Sequence, residues 1–583
     1  SSSSGNLCLN INGSICFDKE TIANSFNTFY TNVASMLVKK LPPSVNRFGK
    51  SFVTSFYARL GVVPNSYSFS LVTENQILRY LTKLSANKAT GLDGIPSRFV
   101  KDGAPIIAQP LSHIINLSLI QGVVPDELKS ARVIPIFKKN DKTSVGNYRP
   151  VSILSIVSKV FERVVYDQVE SYFKSNKLFY KFQSGFRRGL STDTCLIHLT
   201  DYIRKQMDKG NLIGMVLLDL QKAFDTVDHS TLLMKLRATG LGEDILRWFR
   251  SYLSDRKQLV DVSGTYSSTA QVICGVPQGS ILGPLLFLIY VNDMSAVVKN
   301  KLLLYADDSG ILVSGKSRAD IEHALEEDLH LVSQWLVDNK LSLHLGKTES
   351  ILFGSKQRIG PNKSLVIKCN GTEINSTSSV KYLGATIDQF LSFDAMARSV
   401  LQKANARLKF LYRKKEFLTQ HTMKLLVMSL IQCHFDYCCT IWYPGLTQML
   451  KNKFKITQNK LIRLVLNLEP RSHIGSDHFR SLNWLPFNKH VDQIILCNVF
   501  KVKNGLYPDY LKETFIPQDM VHQHNTRACA RGAFAIPEVK GFGSKSFSSL
   551  GCFLWNGLPA ELTHLKRLSS FKTKVKKYLM DSL

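Results

Sequence analysis

The sequence holds no apolar run long enough to span a bilayer; the longest, around residues 284–291, falls well short of the ~20 residues that a membrane helix needs. Its opening, SSSSGNLCLN, has neither a basic n-region nor an apolar h-region, so no secretory signal is expected there. Position 1 is not Met, and the chain is expected to be a fragment of something longer. Eleven cysteines in 583 residues follow no disulfide-framework spacing, which argues against a stapled secreted scaffold and for a reducing compartment. Neither an internal repeat nor a long low-complexity tract occurs, so solenoid and fibrous architectures are excluded. Acidic residues are scarce: 45 Asp plus Glu face 74 Lys plus Arg, for a formal charge of +29. A chain this basic is expected to meet a polyanion, most commonly nucleic acid, the bland alternative being a solvated basic surface. The excess is uneven. Residues 401–583 carry 28 Lys and Arg against 11 Asp and Glu, so a basic C-terminal part is expected to track a phosphate backbone.

What is present is ordinary globular material, 44% hydrophobic and 20% charged, enough for several domains. Apolar positions Ile22, Phe26, Tyr30, Val33 and Leu37 recur at three- and four-residue spacing and predict a helix over 21–41. Further helices are expected over 73–84, 105–119, 155–174, 228–240 and 321–339, and a basic one over 571–583. Residues 87–100, rich in Gly and Pro, read as a loop. Strands are expected over 131–137, 212–220, 257–262, 270–276, 302–305, 311–313, 350–354 and 382–388. After about residue 390 the strand signal fades and helical patterns dominate. The class is α+β.

Three carboxylates carry the chemistry. Asp219 ends an apolar strand; Asp307 and Asp308 sit in the turn of an apolar hairpin. Either placement alone is commonplace, since turns favour Asp. If all three meet at one sheet edge, their like charges need a cation to stay ionised together. An oxygen-only ligand set suits Mg²⁺, and two such ions can stabilise both the attacking and the leaving oxygen of an in-line displacement.

VLLDLQKAFDTVDH (216–229), GVPQGSILGPLLFLIYVND (275–293) and YADD (305–308) follow one another in the order and spacing of polymerase-palm motifs. They resemble the reverse transcriptases of non-LTR (LINE-type) retrotransposons, the Jockey and CR1-like groups especially. SANKATGLDGIPSRFVK (85–101), IPIFKKNDKTSVGNYRPVSIL (134–154) and FQSGFRRGLSTDT (182–194) resemble the upstream finger motifs; KLSLHLGKTESILFG (340–354) and VKYLGATID (380–388) resemble the two that follow the hairpin. NTRACARGAF (525–534) and FGSKSFSSLGCFLWNGLP (542–559) are similar to the tail of CR1-type elements.

The resemblance implies a right-hand polymerase. Its divisions would be a pre-finger region (1–84), a finger extension (85–117), a reverse transcriptase domain of fingers and palm (118–388), a helical thumb (389–470) and a basic C-terminal region (471–583). It implies that Asp219, the Leu220 carbonyl, Asp307 and, more weakly, Asp308 bind two Mg²⁺, with Mn²⁺ as a substitute. Lys347 would protonate the leaving pyrophosphate, the alternative being a surface lysine. Phe224 falls at the steric-gate position, where its ring would exclude a 2′-hydroxyl; a core Phe is the alternative. Arg149 would contact the triphosphate, seconded by one of Lys138, Lys139 and Lys142. Gln278 and Gly279 would lie beside the templating base and the incoming nucleotide, or simply form a turn before a helix. Phe186 and Arg187 would touch template by stacking and phosphate contact. Cys433, His434, Cys438 and Cys439 cluster without zinc-finger spacing and read as core thiols.

The partners implied are an RNA template, a DNA primer or nicked target DNA, and dNTPs, with no membrane; the place of action is the nucleus. The endonuclease that usually precedes such domains has no motifs here, nor is there an RNase H carboxylate set. A non-catalytic nucleic-acid-binding relative and a maturase-like protein are the competing readings. The intact carboxylates favour catalysis.

Overall fold

The computed structural model describes residues 7–360, 364–521 and 531–583; the first six residues of the 525–534 motif lie outside them. The chain folds into two interleaved units, one of Ser1–Tyr180, Asp219–Lys299 and Asp328–His344, the other of Lys181–Leu218, Asn300–Glu327 and Leu345–Leu583. The α+β class holds in both.

The first unit is organised around a sheet in which Ser130–Phe137 lies between Tyr148–Ile153, antiparallel, and Arg256–Val262, parallel; Thr265–Tyr266 and Ala270–Val272 pair antiparallel with the latter. The helix expected near the N-terminus is Lys19–Val38, started by Asp18, whose carboxylate accepts from Thr21 N–H. Its predicted stripe is buried: Ile22, Phe26 and Tyr30 join Val133, Tyr148, Val260 and Val262 in one cluster under the sheet. Each such side chain contributes about 1.5–3 kcal/mol by leaving water. Thr73 and Gln76 close a capping box on Glu74–Thr82, shorter by a few residues than the periodicity suggests.

The second unit is built on a five-stranded sheet in the order Asn375–Ser376, Glu349–Phe353, Leu212–Leu218, Asp308–Gly315, Lys301–Tyr305, antiparallel apart from the first pair. Leu212–Leu218 is central and apolar throughout, as a strand covered on both faces should be. Gly214 explains part of that cover. A Cβ there would lie 2.4 Å from Ile321 Cγ2 and 2.8 Å from Leu325 Cδ1, so only glycine lets this helix sit so close to the sheet. One continuous core joins Ile213 and Met215 of the central strand to Val400, Phe454, Phe487 and Trp555 far down the chain.

The structure corrects four expectations. Ser97–Asp102 is a short helix inside the segment read as loop, because Pro96 ends the Gly-rich turn and supplies its N-cap. The strand expected over 382–388 is a hairpin, Ser379–Tyr382 with Ala385–Asp388. Leu383 and Gly384 both adopt positive φ at its tip (46° and 81°), the two-residue turn that suits the strand twist. The helix expected through the Cys433 region is interrupted by a π-helical turn, Met428–Gln432, and by Cys438 at φ 49°. Finally, Cys438 and Cys439 are buried, but Cys433 is exposed, its Sγ donating to Ser429 O at 3.0 Å, and so is not a core thiol. The basic C-terminal helix is Leu568–Asp581.

Candidate active site

In the first unit, the chain enters at Asp219 and turns at once. The Asp219 carbonyl accepts from His344 N–H (2.8 Å), and Gln221 N–H donates to Ser342 O (2.8 Å). The Leu220 carbonyl accepts no backbone hydrogen bond among the described residues, which leaves it available as an oxygen ligand. Lys222 then takes φ 48° and its carbonyl accepts from Asp225 N–H at 2.8 Å, closing a tight turn. The Phe224 ring stands on this turn, stacked on Phe287 with centroids 4.4 Å apart, and remains half-buried.

The segment 275–279 lies against this turn. Val276 N–H donates to Phe224 O (2.9 Å) and Gly275 N–H to Val227 O (2.8 Å). Gly275 has φ 83°, and a Cβ there would sit 2.7 Å from Asp225 O. Gly279, at φ 126°, leaves room for Ser152 O, which a Cβ would approach to 2.3 Å; Ser152 N–H in turn donates to Gln278 O (2.7 Å). Both glycines are thus required by close backbone approach. Gln278 Nε2 donates to Asp225 Oδ1 at 2.8 Å. Burial pushes the Asp225 carboxyl above the usual range, against the Gln278 amide and the charges of Lys222 and Arg149. Arg149 is exposed on the Tyr148–Ile153 strand. Phe224, Gln278, Gly279 and Arg149 therefore share one neighbourhood. Lys138, Lys139 and Lys142 are exposed beyond it, Lys142 lying over the Phe137 ring at 5.7 Å.

In the second unit the hairpin of Lys301–Tyr305 and Asp308–Gly315 turns on Ala306, at φ 56°, and Asp307. Asp308, expected in the turn together with Asp307, is instead the first residue of the second strand, opposite Tyr305. The register places Ser309 against Leu218, and the next residue after Leu218 is Asp219. On the other flank of the central strand, Glu349 pairs with Leu217, so exposed Lys347, two residues earlier, stands at the same end of the sheet.

Gln183 is a residue that sequence reasoning passed over. Fully buried, its Oε1 accepts from Gly185 N–H (2.9 Å) and from Ala306 N–H (3.0 Å). Ser184 N–H donates to Leu304 O (2.8 Å), and a Cβ on Gly185 would meet Ala306 N at 2.4 Å. This loop therefore clamps the hairpin turn that presents Asp307. Phe186 follows at φ 51°, half exposed, and Arg187 Nη1 donates to Gln183 O at 3.0 Å. The signal was a Gln-Ser-Gly turn inside FQSGFRR; likewise Asp225 was visible only as one more Asp in FDTVDH.

Among the described residues, no group of three or more His, Cys, Asp or Glu side chains forms a ready metal cage. Mg²⁺ does not need one: one or two carboxylates and substrate phosphates suffice. Half-buried Asp219 and Asp307 and exposed Asp308 offer hard oxygen donors of the kind it takes.

Residues 136–387 match the family Reverse transcriptase (RNA-dependent DNA polymerase); this segment is a reverse transcriptase domain of α+β class. More particularly, the chain is similar to the probable RNA-directed DNA polymerase from transposon BS of Drosophila melanogaster, with 28% identity over 70% of this chain and 46% of that protein. It is also 29% identical to the RNA-directed DNA polymerase from mobile element jockey of the same species, over 69% of this chain and 44% of that protein. The probable RNA-directed DNA polymerase from transposon X-element is 25% identical over 68% and 44%. The chain spans less than half the length of these relatives. Among solved structures, apo telomerase from Candida Tropicalis truncated from C-terminal domain aligns at 16% identity and TM-score 0.33, over 46% of this chain and 55% of that one, a likeness too weak to define a fold.

Proposed function

We propose that the chain is an RNA-directed DNA polymerase of a non-LTR retrotransposon, joining dNTPs to a primer 3′-hydroxyl on an RNA template. The observation that carries this reading is the match of residues 136–387 to the reverse transcriptase family; within the second unit, Leu218 pairs with Ser309, the residue after Asp308. Asp219, Asp307, Asp308 and the Leu220 carbonyl would hold two Mg²⁺, or Mn²⁺ in their place. Those ions would lower the charge cost at the attacking and leaving oxygens. The protein's own groups do the rest. Arg149 binds triphosphate oxygens with its planar fork. Gln278 and the Gly279 backbone lie beside the templating base and the incoming nucleotide, and Phe224 blocks a 2′-hydroxyl. Lys347 donates a proton to pyrophosphate. Phe186 offers an exposed face for a template base and Arg187 a cation for its phosphate.

The division of labour follows: residues 118–388 catalyse, 389–470 act as thumb and 471–583 hold nucleic acid. A nicked target DNA would serve as primer, and the reaction would then take place in the nucleus. No helix among the described residues is long and apolar enough to cross a membrane.

Primer extension on a primed RNA template tests the reading. Asp307→Asn should lower the single-turnover rate about a thousandfold or more, the loss of several kcal/mol of charge stabilisation. Lys138→Ala should leave extension near wild type. Failure of the wild-type chain to extend any primed RNA with Mg²⁺ or Mn²⁺ would overturn the reading in favour of a nucleic-acid-binding relative.

A further inference from the structure

Asp225 lies in the turn after Asp219, where an aspartate ordinarily points its carboxylate into water. Here it points inward. One oxygen, Oδ1, accepts from the Gln278 side chain at 2.8 Å, across 53 residues of sequence. The other, Oδ2, is buried and has no hydrogen-bond partner among the described residues. Asp225 lines a cavity of about 50 Å³, shared with Tyr30, Arg256, Cys274 and Gln278. Tyr30 Oη and Arg256 Nη2 are likewise buried without partners among the described residues. Gly275 is pressed against the Asp225 backbone and could not be replaced without moving it. Fixing a carboxyl group inward at an incompletely satisfied site is unfavourable by itself, so stability does not account for it.

Hydrogen-bond polarity does. A glutamine amide has a donating and an accepting end, and the two orientations occupy the same space. Asp225 Oδ1 accepts when the carboxyl is ionised and also when the proton sits on Oδ2. It therefore selects the orientation in which Nε2 points inward and Oε1 outward. We infer that Asp225 is a positioning residue that fixes the Gln278 amide so that its oxygen faces the incoming nucleotide, making the site select a hydrogen-bond donor there. This rests on the polymerase reading, which puts the nucleotide beside Gln278. Tyr30 belongs to the N-terminal helix, outside the matched reverse transcriptase segment, so that helix forms part of the wall behind the amide.

Steady-state primer extension with varied dNTP, supported by melting curves, tests the inference. Asp225→Asn keeps the volume but accepts or donates with equal ease, so both orientations of Gln278 become populated. KM for dNTP should rise about twofold, the reciprocal of a competent fraction near one half, with kcat essentially unchanged. In a Gln278→Ala background the same substitution should add nothing, because its effect runs through the amide.

A polarity swap gives a second readout. Gln278→Glu sets two carboxyl groups against each other and should raise KM further. Adding Asp225→Asn should rescue it, because the introduced amide then donates to the new carboxylate and an oxygen again faces out. An Asp225→Asn effect that persists in Gln278→Ala, or a Gln278→Glu defect that the second substitution does not relieve, overturns the inference.

Nucleotide binding to the enzyme on primed RNA in Ca²⁺ separates this from the polymerase reading. If the wild type binds dNTP in Ca²⁺ but extends with neither Mg²⁺ nor Mn²⁺, that reading falls, and the inference is then judged by whether Asp225→Asn weakens binding by the same factor. A wild type that neither binds nor extends overturns both.

Discussion

Phe224 is fixed by its stack on Phe287 and by the backbone bond from Val276. Truncation to alanine should open the space that its ring fills. The ratio of kcat/KM for dNTP over rNTP is expected to fall by about one to two orders of magnitude in Phe224→Ala, as for other interactions worth a few kcal/mol. Parallel extension assays with each nucleotide check this; an unchanged ratio would return Phe224 to a packing role. Sequence alone could not separate the two readings, because an apolar residue at a strand-to-helix junction serves either. Gln183 was harder still. Its importance lies in a backbone N–H 123 residues away, at Ala306.

At the scale of single elements, the helix His229–Ala238 is held at both ends by charge. Its N-cap Asp228 accepts from Thr231 N–H (2.8 Å) and from Lys340 Nζ (2.7 Å). Burial alone would raise the Asp228 carboxyl, but Lys340, Ser230 and Thr231 outweigh it and bring it down to about 2. A depressed folded value means stability that is present above the unfolded value, roughly pH 4, and lost as pH falls towards 2. Asp228→Asn should thus cost about 2 kcal/mol at pH 7, with the gap in melting temperature closing between about pH 4 and pH 2. One turn from the other end, Lys235 Nζ is fully buried, 2.5 Å from Asp293 Oδ1 and 2.6 Å from Tyr290 O, while Trp335 Nε1 donates to the second Asp293 oxygen (3.0 Å). Lys235→Met strands that carboxylate and is expected to cost about 3–5 kcal/mol, seen as a large drop in melting temperature of the first unit. The hydrophobic period reveals this helix, but nothing local marks Lys235 as buried, since lysine at that spacing reads as a solvated face.

At the scale of the whole molecule, the +29 charge implies nucleic-acid affinity that is steeply dependent on salt. Binding to primed RNA should weaken about a hundredfold or more between ~50 and ~200 mM salt. The C-terminal helix Leu568–Asp581 contributes a visible share of the charge: Phe571, Val575 and Leu579 are buried, while Lys572, Lys574 and Lys577 are exposed. Replacing those three by glutamine should reduce the slope of log K against log salt by up to about 3, one unit for each phosphate no longer neutralised, without changing the melting temperature. An unaltered slope would place the phosphate-binding groups elsewhere.

What the sequence determined by itself was local or ordered along the chain. Strand and helix periods, the Asp18 and Thr73 caps, and the succession of LLDLQKAFD, PQG and YADD were enough to point to a reverse transcriptase and to its candidate carboxylates. Turn chemistry within a few residues decides such features, so a linear reading reaches them. The hairpin at Leu383 and Gly384 escaped, because leucine at positive φ is costly and rarely expected. Only the tertiary structure decided that the 212–218 strand lies between 308–315 and 349–353, that Gln183 clamps the Asp307 turn, and that Asp225 turns inward to hold Gln278. These depend on pairing between distant segments and on which polar groups lose water when the core closes. Neither quantity has a period or a spacing along the chain from which it could be read.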